Sequence, residues 1–507
     1  MSEPQSIVWW IKKDFRLGDN PALAYALGMG QPVIPVFIFE PSALKAPETS
    51  AFHVAAWLDG LKELRAKLRE CGGDLVLLRG EVVEVLKKLH RLVNISELVS
   101  HEEIGSDRTY QRDCDVSLWC REQGVTWYEP MQTAVFRRLK DRDRRSQRWR
   151  EWMDDGPLPV PSEKALGLIS VPPKVMKLRD SACRRPSLAA FGFKLTASQQ
   201  RYRQRVTESH ARETMDDFLH ARGLAYSGGI SSPNTAFDAS SRLSVHLAWG
   251  TITGREVYAA NEKRMAELKS WDHPDAGKWR RSLNAFRSRL HWRDHFIQRL
   301  ETEPTLEFHP INRAYEKLTF SKEKKRLARW CHGETGFPLV DACIRCAQTT
   351  GFLNFRMRCM ITSVACHALR LNWQQIMWPM ARWWADYEPG IHLAQLQMQA
   401  GVVGINSLRT YNPAKQIADH DPRAKFIKRW IPELRGVNPA KIIAHQDDPM
   451  KNYHSPVVNW KASTSEMRAD YYAIRRDPKT KELAERVLQE HGSRKPPNSR
   501  RRKKSSR

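Results

Sequence analysis

Three serines and an arginine lie together near the middle of the chain. Ser240, Ser241 and Ser244 surround Arg242, and Leu243 precedes the last serine. Hydroxyl groups, a guanidinium and the free backbone N–H groups at the beginning of a helix are the donors that bind a diphosphate. The same short pattern is also typical of an ordinary helix N-cap, so these residues alone leave both interpretations open.

Cysteines are the other residues whose spacing could indicate a chemical role, here the binding of a metal. Of the nine cysteines, Cys343 and Cys346 have the spacing of metal ligands. Thiols at this spacing in an apolar helix are usually core residues, so we predict no metal site. The N-terminus lacks the basic and apolar regions of a secretory signal, which favours a cytoplasmic protein. Such a protein would be associated with the nucleoid, or would lie in the nucleus where the DNA is nuclear. The cysteines of a cytoplasmic protein are expected to be reduced thiols.

The charge balance indicates the kind of partner. Lys and Arg number 83 against 57 Asp and Glu, a net charge of +26. Such a surplus points to a polyanion, with nucleic acid as the first candidate and an anionic membrane surface as the second. The mean hydropathy of -0.59 and the strand-sized apolar runs exclude an integral membrane protein. The 18 tryptophans outnumber both Phe and Tyr, which calls for a functional reason.

Apolar runs of strand length alternate with amphipathic stretches over residues 1–130. Right-handed βαβ units with a doubly wound parallel sheet produce this alternation. No G-x-G-x-x-G follows any run, which argues against a dehydrogenase of the Rossmann type. We expect ligands beyond the carboxyl ends of the strands, near the loop 12–20. The predicted strands are Ile7–Ile11, Val33–Phe39, Leu75–Leu78 and Leu98–His101, and the clearest helix is Ala51–Glu70.

The pattern changes twice along the rest of the chain. Residues 131–210 are dense in Arg and Pro and are predicted to be an interdomain linker. Residues 211–485 have helical spacing throughout, which predicts a second, all-α domain. Residues 486–507 are basic and are predicted to be a disordered tail that adds attraction for a polyanion.

Several motifs in chain order resemble the DNA photolyase and cryptochrome family. The first motif is a strand that runs into a loop of the type R-x-D-L-R-x-x-D-N-P-A-L. The others are a serine-rich flavin-phosphate segment, a W-R-E/D helix, a T-G-F/Y-P-x-V-D-A turn and an R-x-F-N-P element. They match residues 7–23, 240–250, 292–294, 335–342 and 409–413.

The resemblance implies an α/β antenna domain followed by an all-α domain that binds FAD. It also implies a second, antenna chromophore of unknown identity in the N-terminal domain. Arg358 and Asp386 correspond to the ion pair beside the isoalloxazine ring, and His392 falls at or next to the residue that faces flavin N5. The cofactor-binding residues so implied are Tyr226, Ser240, Ser241, Arg242, Leu243, Ser244, Arg293, Arg358, Asp386, Tyr387, Glu388 and His392.

The chain departs from the family pattern where a lesion would bind. Arg289 replaces a Glu of the cyclobutane-dimer enzymes, and Cys359 replaces a Met. The electron chain of three tryptophans is also incomplete, because Trp373 matches its middle member alone. Five other rings are close enough in the sequence to build another path, and we select Trp330 and Trp384 from them; the five are Trp330, Trp378, Trp383, Trp384 and Tyr387. Arg289, Trp292 and Arg409 are the residues we expect to stack on and hold a flipped nucleotide.

The resemblance implies one of two functions. The first is a deoxyribodipyrimidine photolyase, which repairs UV-damaged double- or single-stranded DNA by light-driven electron transfer from reduced flavin. The second is a cryptochrome, a blue-light photoreceptor without repair activity. The basic body favours the first function, whereas the altered lesion contacts favour the second. We expect a monomer in either case.

Overall fold

The computed structural model describes residues 5–492. Its N-terminal part contains one parallel sheet of five strands in the order β3-β2-β1-β4-β5. The central strands are buried on both faces because helices cover the sheet on each side, which explains their continuous apolar sequence. The strands are β1 (Ser6–Ile11), β2 (Val33–Phe39), β3 (Val76–Arg79), β4 (Ile95–Val99) and β5 (Thr126–Tyr128).

The apolar runs located four strands, of which β1, β2 and β3 have bounds within one residue of the prediction and β4 does not. Strand β4 begins at Ile95, three residues before the predicted Leu98, because Ser96 and Glu97 lie half-buried in it and hide the pattern. His101 lies beyond the strand, where its Nδ1 contacts Asp14 Oδ2 at 3.0 Å. No apolar run marks β5, because the residues of this short edge strand are exposed or half-buried.

Five helices accompany the strands of the N-terminal domain. The predicted helix Ala51–Glu70 is present with those bounds. Asn20 caps the first helix, since its side chain accepts a hydrogen bond from Leu23 N at 2.9 Å. The helices are α1 (Pro21–Gly28), α2 (Pro41–Leu44), α3 (Ala51–Glu70), α4 (Val82–Val93) and α5 (Asp107–Gln123).

The segment 131–210 is more structured than a linker draped over a surface. Trp149 and Met153 are buried in the core of the helical domain, and Val33 N donates a hydrogen bond to Leu168 O at 2.9 Å beside the sheet. Its helices are α6 (Arg145–Asp154), α7 (Glu163–Leu166), α8 (Pro173–Met176), α9 (Ser181–Arg184) and α10 (Ala197–Tyr202).

Residues 208–492 form helices without a strand, as the sequence predicted for this part of the chain. A π-helical turn, Val364–Ala368, follows α19. The helices are α11 (Glu208–His220), α12 (Tyr226–Gly229), α13 (Ala236–Ala239), α14 (Ser244–Trp249), α15 (Gly254–Glu267), α16 (Ala276–Thr302), α17 (Lys324–His332), α18 (Pro338–Thr350), α19 (Phe355–Ser363), α20 (Trp373–Trp383), α21 (Pro389–Ala400), α22 (Pro413–His420), α23 (Lys425–Trp430), α24 (Pro439–Ala444), α25 (Trp460–Arg476) and α26 (Pro478–His491).

The predicted disordered tail begins too early. Residues 486–491 belong to α26, and His491 is buried, so this part of the prediction is wrong. The acidic and apolar residues of α26 outweigh the basic composition that motivated the prediction. The remaining basic residues, 493–507, lie outside the described residues.

The loop 12–20 after β1 holds the two domains together. Arg16 donates hydrogen bonds to Asp19 O and Gly250 O, and the buried Asp19 carboxylate pairs with Arg255 of α15. Gly250 has φ 66°, and a Cβ there would lie 1.8 Å from Lys13 O. Only glycine permits this backbone approach. The loop that we expected to face a ligand therefore contributes to the domain interface, where its Lys13 and Arg16 also line a cavity.

His53 of α3 makes this interface sensitive to acid. Its Nε2 lies 2.8 Å from Trp384 O, and burial lowers its pKa to about 4 from 6.5. Between those values the unfolded chain binds a proton that the folded protein excludes, so the free energy of unfolding falls as the pH falls. From pH 7 to pH 5, His53 should account for a loss of about 2 kcal/mol.

We expect His53→Gln to remove that part of the loss, as measured by urea unfolding at both pH values. Buried acids with raised pKa, such as Glu388, act in the opposite direction, so the comparison is between the variant and its parent. His309→Gln is the matched control, because this imidazole is 48% exposed. An equal pH dependence in His53→Gln and the parent would contradict the prediction.

Candidate functional site

A cavity of about 1090 Å³, including the solvent at its mouth, opens between α14, α16, α19 and α21. Nine of the twelve residues that the sequence assigned to a cofactor line it. The other three, Ser240, Arg242 and Leu243, lie in the adjoining loop. The nine lining residues are Tyr226, Ser241, Ser244, Arg293, Arg358, Asp386, Tyr387, Glu388 and His392.

Arg222 positions the serine loop at the beginning of α14. Its guanidinium donates hydrogen bonds to the carbonyl oxygens of Ser240 and, at 3.4 Å, of Ser241. Leu243 is fully buried and anchors the loop in the core. Ser244 and Ser241 consequently face the cavity. Sequence reasoning missed Arg222, because no motif marks a residue that holds backbone carbonyls so far away in the chain.

Arg242 is held in an unusual conformation in the same loop. Its φ is 59°, a region that non-glycine residues rarely adopt. The guanidinium lies 3.7 Å from the ring centroid of Phe352, and its Nη1 has no hydrogen-bond partner within the described part of the chain. Burial lowers its pKa to about 10. Such a strained, buried cation beside a cavity is typical of a functional position.

Arg358 and Asp386 form the predicted ion pair in the cavity wall. Arg358 Nη2 donates to both carboxylate oxygens, at 2.9 and 3.1 Å. Its Nε donates to Leu353 O at 2.8 Å, which fixes the guanidinium plane above the ring of Trp384. Both charges are therefore oriented before any ligand binds.

His392 presents a defined tautomer to the cavity. Its Nε2 lies 2.9 Å from Met377 O, and a carbonyl only accepts hydrogen bonds, so Nε2 carries the proton. Burial lowers the pKa of His392 to about 4, which keeps the ring neutral at pH 7. Nδ1 is then a hydrogen-bond acceptor.

Buried polar atoms without partners surround this cavity. Among residues 5–492, Ser240 Oγ, Arg242 Nη1, Tyr387 Oη and Gln395 Oε1 make no hydrogen bond. Buried polar groups in folded proteins are nearly always paired. The chain thus leaves donors and acceptors for a polar ligand, and a dinucleotide with a diphosphate fits both this set and the size of the cavity.

Comparison with known proteins identifies the family of this chain. Residues 286–473 match the family model described as the FAD binding domain of DNA photolyase, and residues 7–143 match the model described as DNA photolyase. This chain belongs to the DNA photolyase and cryptochrome family. FAD is its cofactor, and the predicted family, fold class and cofactor are confirmed.

Similar members of this family have different names. The chain is 24% identical to a deoxyribodipyrimidine photo-lyase of Synechococcus, over 92% of this chain and 97% of that protein. It is 26% identical to a cryptochrome DASH of Gloeobacter violaceus, over 86% and 88% respectively. A photolyase of Sulfolobus tokodaii, solved with two FAD molecules, has the same fold with a TM-score of 0.75, 24% identity and coverage of 92% and 100%.

In this photolyase-family chain, Arg293 and Glu388 separate the cavity lined by the predicted cofactor residues from a second cavity. Arg293 donates to Asp294 Oδ1 at 2.9 Å and to Leu247 O at 3.0 Å. Glu388 lies 3.8 Å from Arg293, and its burial raises the pKa of the carboxyl. The second cavity has room for about 50 Å³, lies between the domains and includes Lys13 and Glu103 in its wall.

Three tryptophans form a continuous array from the candidate cofactor cavity into the core. Trp384 lines the cavity, its ring centroid lies 6.3 Å from that of Trp383, and Trp383 lies 4.9 Å from Trp330. Trp330 is fully buried. The sequence analysis selected both ends, and it named Trp383 among the neighbouring rings without selecting it. It also selected Trp373, which begins α20 and therefore lies about 15 Å along the helix from the array.

The residues predicted to bind DNA have three different positions. Arg289 lines the cavity, Arg409 is exposed, and Trp292 packs against His295 and Phe296 on an adjacent face of α16. Sequence reasoning did not assign a role to Phe355, which lines the cavity and is 56% exposed. No sequence pattern indicated that Phe355, a single aromatic residue at the beginning of α19, would be exposed to solvent.

The remaining sequence motifs have structural positions. Cys343 and Cys346 are buried in the core, and burial raises the pKa of both thiols. In the described ranges, no group of three or more His, Cys, Asp or Glu is arranged to hold a metal ion. None of the described helices combines the length and the apolar character that a membrane crossing requires.

Proposed function

We propose that this chain is a blue-light-driven DNA photolyase that acts on a pyrimidine lesion. The observation that carries the proposal is one continuous cavity with two kinds of wall. The inner wall holds the Arg358–Asp386 pair and His392, and the outer wall holds Arg289 and the exposed Phe355. A cofactor and a flipped nucleotide would therefore share one enclosed space.

Bound FAD would supply light absorption and the electron for the lesion. The serine loop and Arg293 would hold its diphosphate, and the Arg358–Asp386 pair would set the charge around the ring system. Arg289 would hold the lesion by its charge, while Phe355 would stack on a base at the cavity mouth. Attraction from the net charge of +26 would be strongest at low salt.

We also propose that Trp330, Trp383 and Trp384 form the electron relay of this protein. Their ring contacts support this role, because each indole adjoins the next and the last lines the cavity. An electron would pass from Trp330 through Trp383 to Trp384, and the positive charge would move away from the cavity.

The domain bounds, the antenna chromophore, action on single-stranded as well as double-stranded DNA, and the monomeric state are our proposals. The domains would be 1–130, 131–210 and 211–491, the last extended from the predicted 485 to the end of α26, with the second chromophore in the first domain. The protein would be cytoplasmic, and it would be found at the nucleoid or in the nucleus, where its DNA substrate lies. Analytical ultracentrifugation of the FAD-loaded protein, with and without damaged oligonucleotides, measures its mass. A mass of one chain in both cases supports the monomer, and a mass of two chains contradicts it.

A cryptochrome function is the second candidate. Arg289 and Cys359 occupy positions where the cyclobutane-dimer enzymes resembled by this sequence have other residues, and both line the cavity. A protein with an altered pocket could bind FAD and respond to light without repairing a lesion. The cryptochrome DASH relative keeps this alternative open.

A light-minus-dark repair assay separates the two functions. The reduced, FAD-loaded protein is illuminated with oligonucleotides that contain a cyclobutane dimer or a (6-4) photoproduct, in single- and double-stranded form. Light-dependent loss of one lesion supports the photolyase. Loss of neither lesion, with FAD bound and reducible, overturns it in favour of the cryptochrome.

Replacing Arg289 by glutamine should weaken binding of lesion-containing DNA by about tenfold, because a cation is lost from the pocket wall. Fluorescence anisotropy on damaged and undamaged oligonucleotides measures the effect, which should be smaller on undamaged DNA. Arg287→Gln is the matched control on the same helix, since Arg287 pairs with Glu262 outside the cavity. Equal losses for the two variants would show that Arg289 contributes only general attraction.

A further inference from the structure

The candidate cofactor cavity and the cavity between the domains share part of their walls. In the part of the chain that the structure describes, four residues line both: Leu247, Ala248, Arg293 and Glu388. Two of these side chains are apolar, and the guanidinium of an arginine does not lose its proton in proteins. Glu388 is therefore the shared residue that can gain and lose a proton.

The cavity between the domains, which we call the interdomain cavity, is suited to water. It has room for about 50 Å³, and a water molecule requires about 10–15 Å³ of such space together with two to four polar partners. Glu102, Gln132 and Thr133 in its wall are half-buried, so the cavity lies close to the protein surface. The polar residues of its wall include Lys13, Arg16, Glu102, Glu103, Gln132 and Thr133.

The wall of the candidate cofactor cavity is apolar along much of its length. Apolar side chains that line it include Phe286, Leu290, Met380, Ile391 and Leu396. Bound FAD would displace water from this space, so a proton must enter it through a side chain. Asp386 is paired with Arg358, and Nε2–H of His392 is bound to Met377 O. Neither Asp386 nor His392 lines the interdomain cavity.

The carboxyl group of Glu388 is buried without a hydrogen bond. Its side chain is 9% exposed and lies 3.8 Å from Arg293 Nη2, which is too far for a hydrogen bond. Among residues 5–492, this ion pair is the polar contact of the carboxyl group. Its oxygens therefore remain available to water in the interdomain cavity and to a ligand in the cofactor cavity.

Charged groups from three segments act on Glu388. They are Lys13 in the loop after β1, Glu103 in the loop before α5, and Arg293 and Asp294 of α16. Burial raises the pKa of the Glu388 carboxyl, and the two cations oppose this effect without cancelling it. Lys13 Nζ is itself held 3.7 Å from Glu103 Oε1. A carboxyl group with a raised pKa is suited to hold a proton and to release it.

We propose that Glu388 carries protons from the interdomain cavity into the cofactor cavity when the bound FAD is reduced. With an external thiol as reductant, two thiols form a disulfide and give up two electrons and two protons. An O–H bond of the Glu388 carboxyl breaks and an N–H bond of the flavin forms, so the two electrons and one proton reach the flavin. Glu388 then regains a proton from water in the interdomain cavity, and one proton remains in the solvent. This role rests on FAD binding and not on the proposed repair of DNA.

The test follows proton uptake after a laser flash in the FAD-loaded protein without DNA. Flavin absorbance and a pH-indicator dye record proton uptake in the parent and in Glu388→Gln. The glutamine amide keeps the shape of the side chain but does not release a proton, so uptake should slow by at least about tenfold. Arrival of the electron at the flavin should keep the parent rate, which records a failure of the tryptophan relay separately.

Glu40→Gln is the matched control. Glu40 is also buried and pairs with an arginine, Arg112, at 3.1 Å, and burial raises its pKa as well, but it lies in neither cavity wall. This variant should take up protons at the parent rate. An unchanged rate in Glu388→Gln would show that protons enter from the cavity mouth, and equal slowing in both variants would show a general effect of charge; either result overturns the proposal.

A measurement on the parent keeps the proposal falsifiable if Glu388→Gln does not retain FAD. Time-resolved infrared spectra should show a transient loss of the carbonyl band of a protonated carboxylic acid during FAD reduction. Glu388→Asp, which keeps a carboxyl group, should retain this band. A parent spectrum without the transient loss overturns the proposal.

Discussion

Replacing Trp383 by phenylalanine should slow blue-light reduction of the bound FAD by at least about tenfold, equivalent to about 1.4 kcal/mol in the barrier. Trp383 is the only ring shown to contact both Trp330 and Trp384 in the described array. Phenylalanine keeps most of the packing, but its ring is much harder to oxidise than an indole. The rate of loss of flavin absorbance under blue light, with an external thiol as reductant, measures the effect.

Two variants of the same helix serve as controls. Trp378→Phe changes a half-buried ring outside the array, and Trp373→Phe changes the residue that the sequence favoured. Both should reduce FAD at close to the parent rate and retain the same FAD content. If Trp373→Phe is slow and Trp383→Phe is not, the electron path follows the family's middle position and our relay is wrong.

Replacing Asp386 by asparagine should release most of the FAD during purification. The carboxylate accepts two hydrogen bonds from Arg358, and its side chain is 11% exposed. Without it, the guanidinium remains in the cavity wall with no anion, and breaking a buried pair in this way costs about 3–5 kcal/mol. The ratio of flavin to protein absorbance, followed by titration with added FAD, measures the loss.

Asp470→Asn provides a matched control, because Asp470 also pairs with an arginine, Arg370, but lies on α25 away from the cavity. This variant should retain full FAD content. Full FAD content in Asp386→Asn as well would show that the ion pair has no part in holding the cofactor.

The sequence predicted well the features that depend on local pattern. The alternation of apolar runs located β1 and β2, and the spacing of the serine cluster led to residues that line one cavity. Features that depend on distant partners were hidden. Arg222 positions the serine loop through backbone carbonyls, and Trp383 matters only because Trp330 and Trp384 flank it in space. Strand β4 pairs through polar residues that no apolar pattern reveals.

The close contact between Gly250 and the loop after β1 has a consequence for the cofactor. Gly250 follows α14, whose Ser244 and Leu247 line the candidate cofactor cavity, and His53 of the N-terminal domain contacts the backbone carbonyl of Trp384, another residue of the cavity wall. The N-terminal domain therefore supports two parts of the wall of a cavity that lies in the helical domain. Residues 211–492 expressed alone would lose this support, so the ability to retain FAD belongs to the two domains jointly.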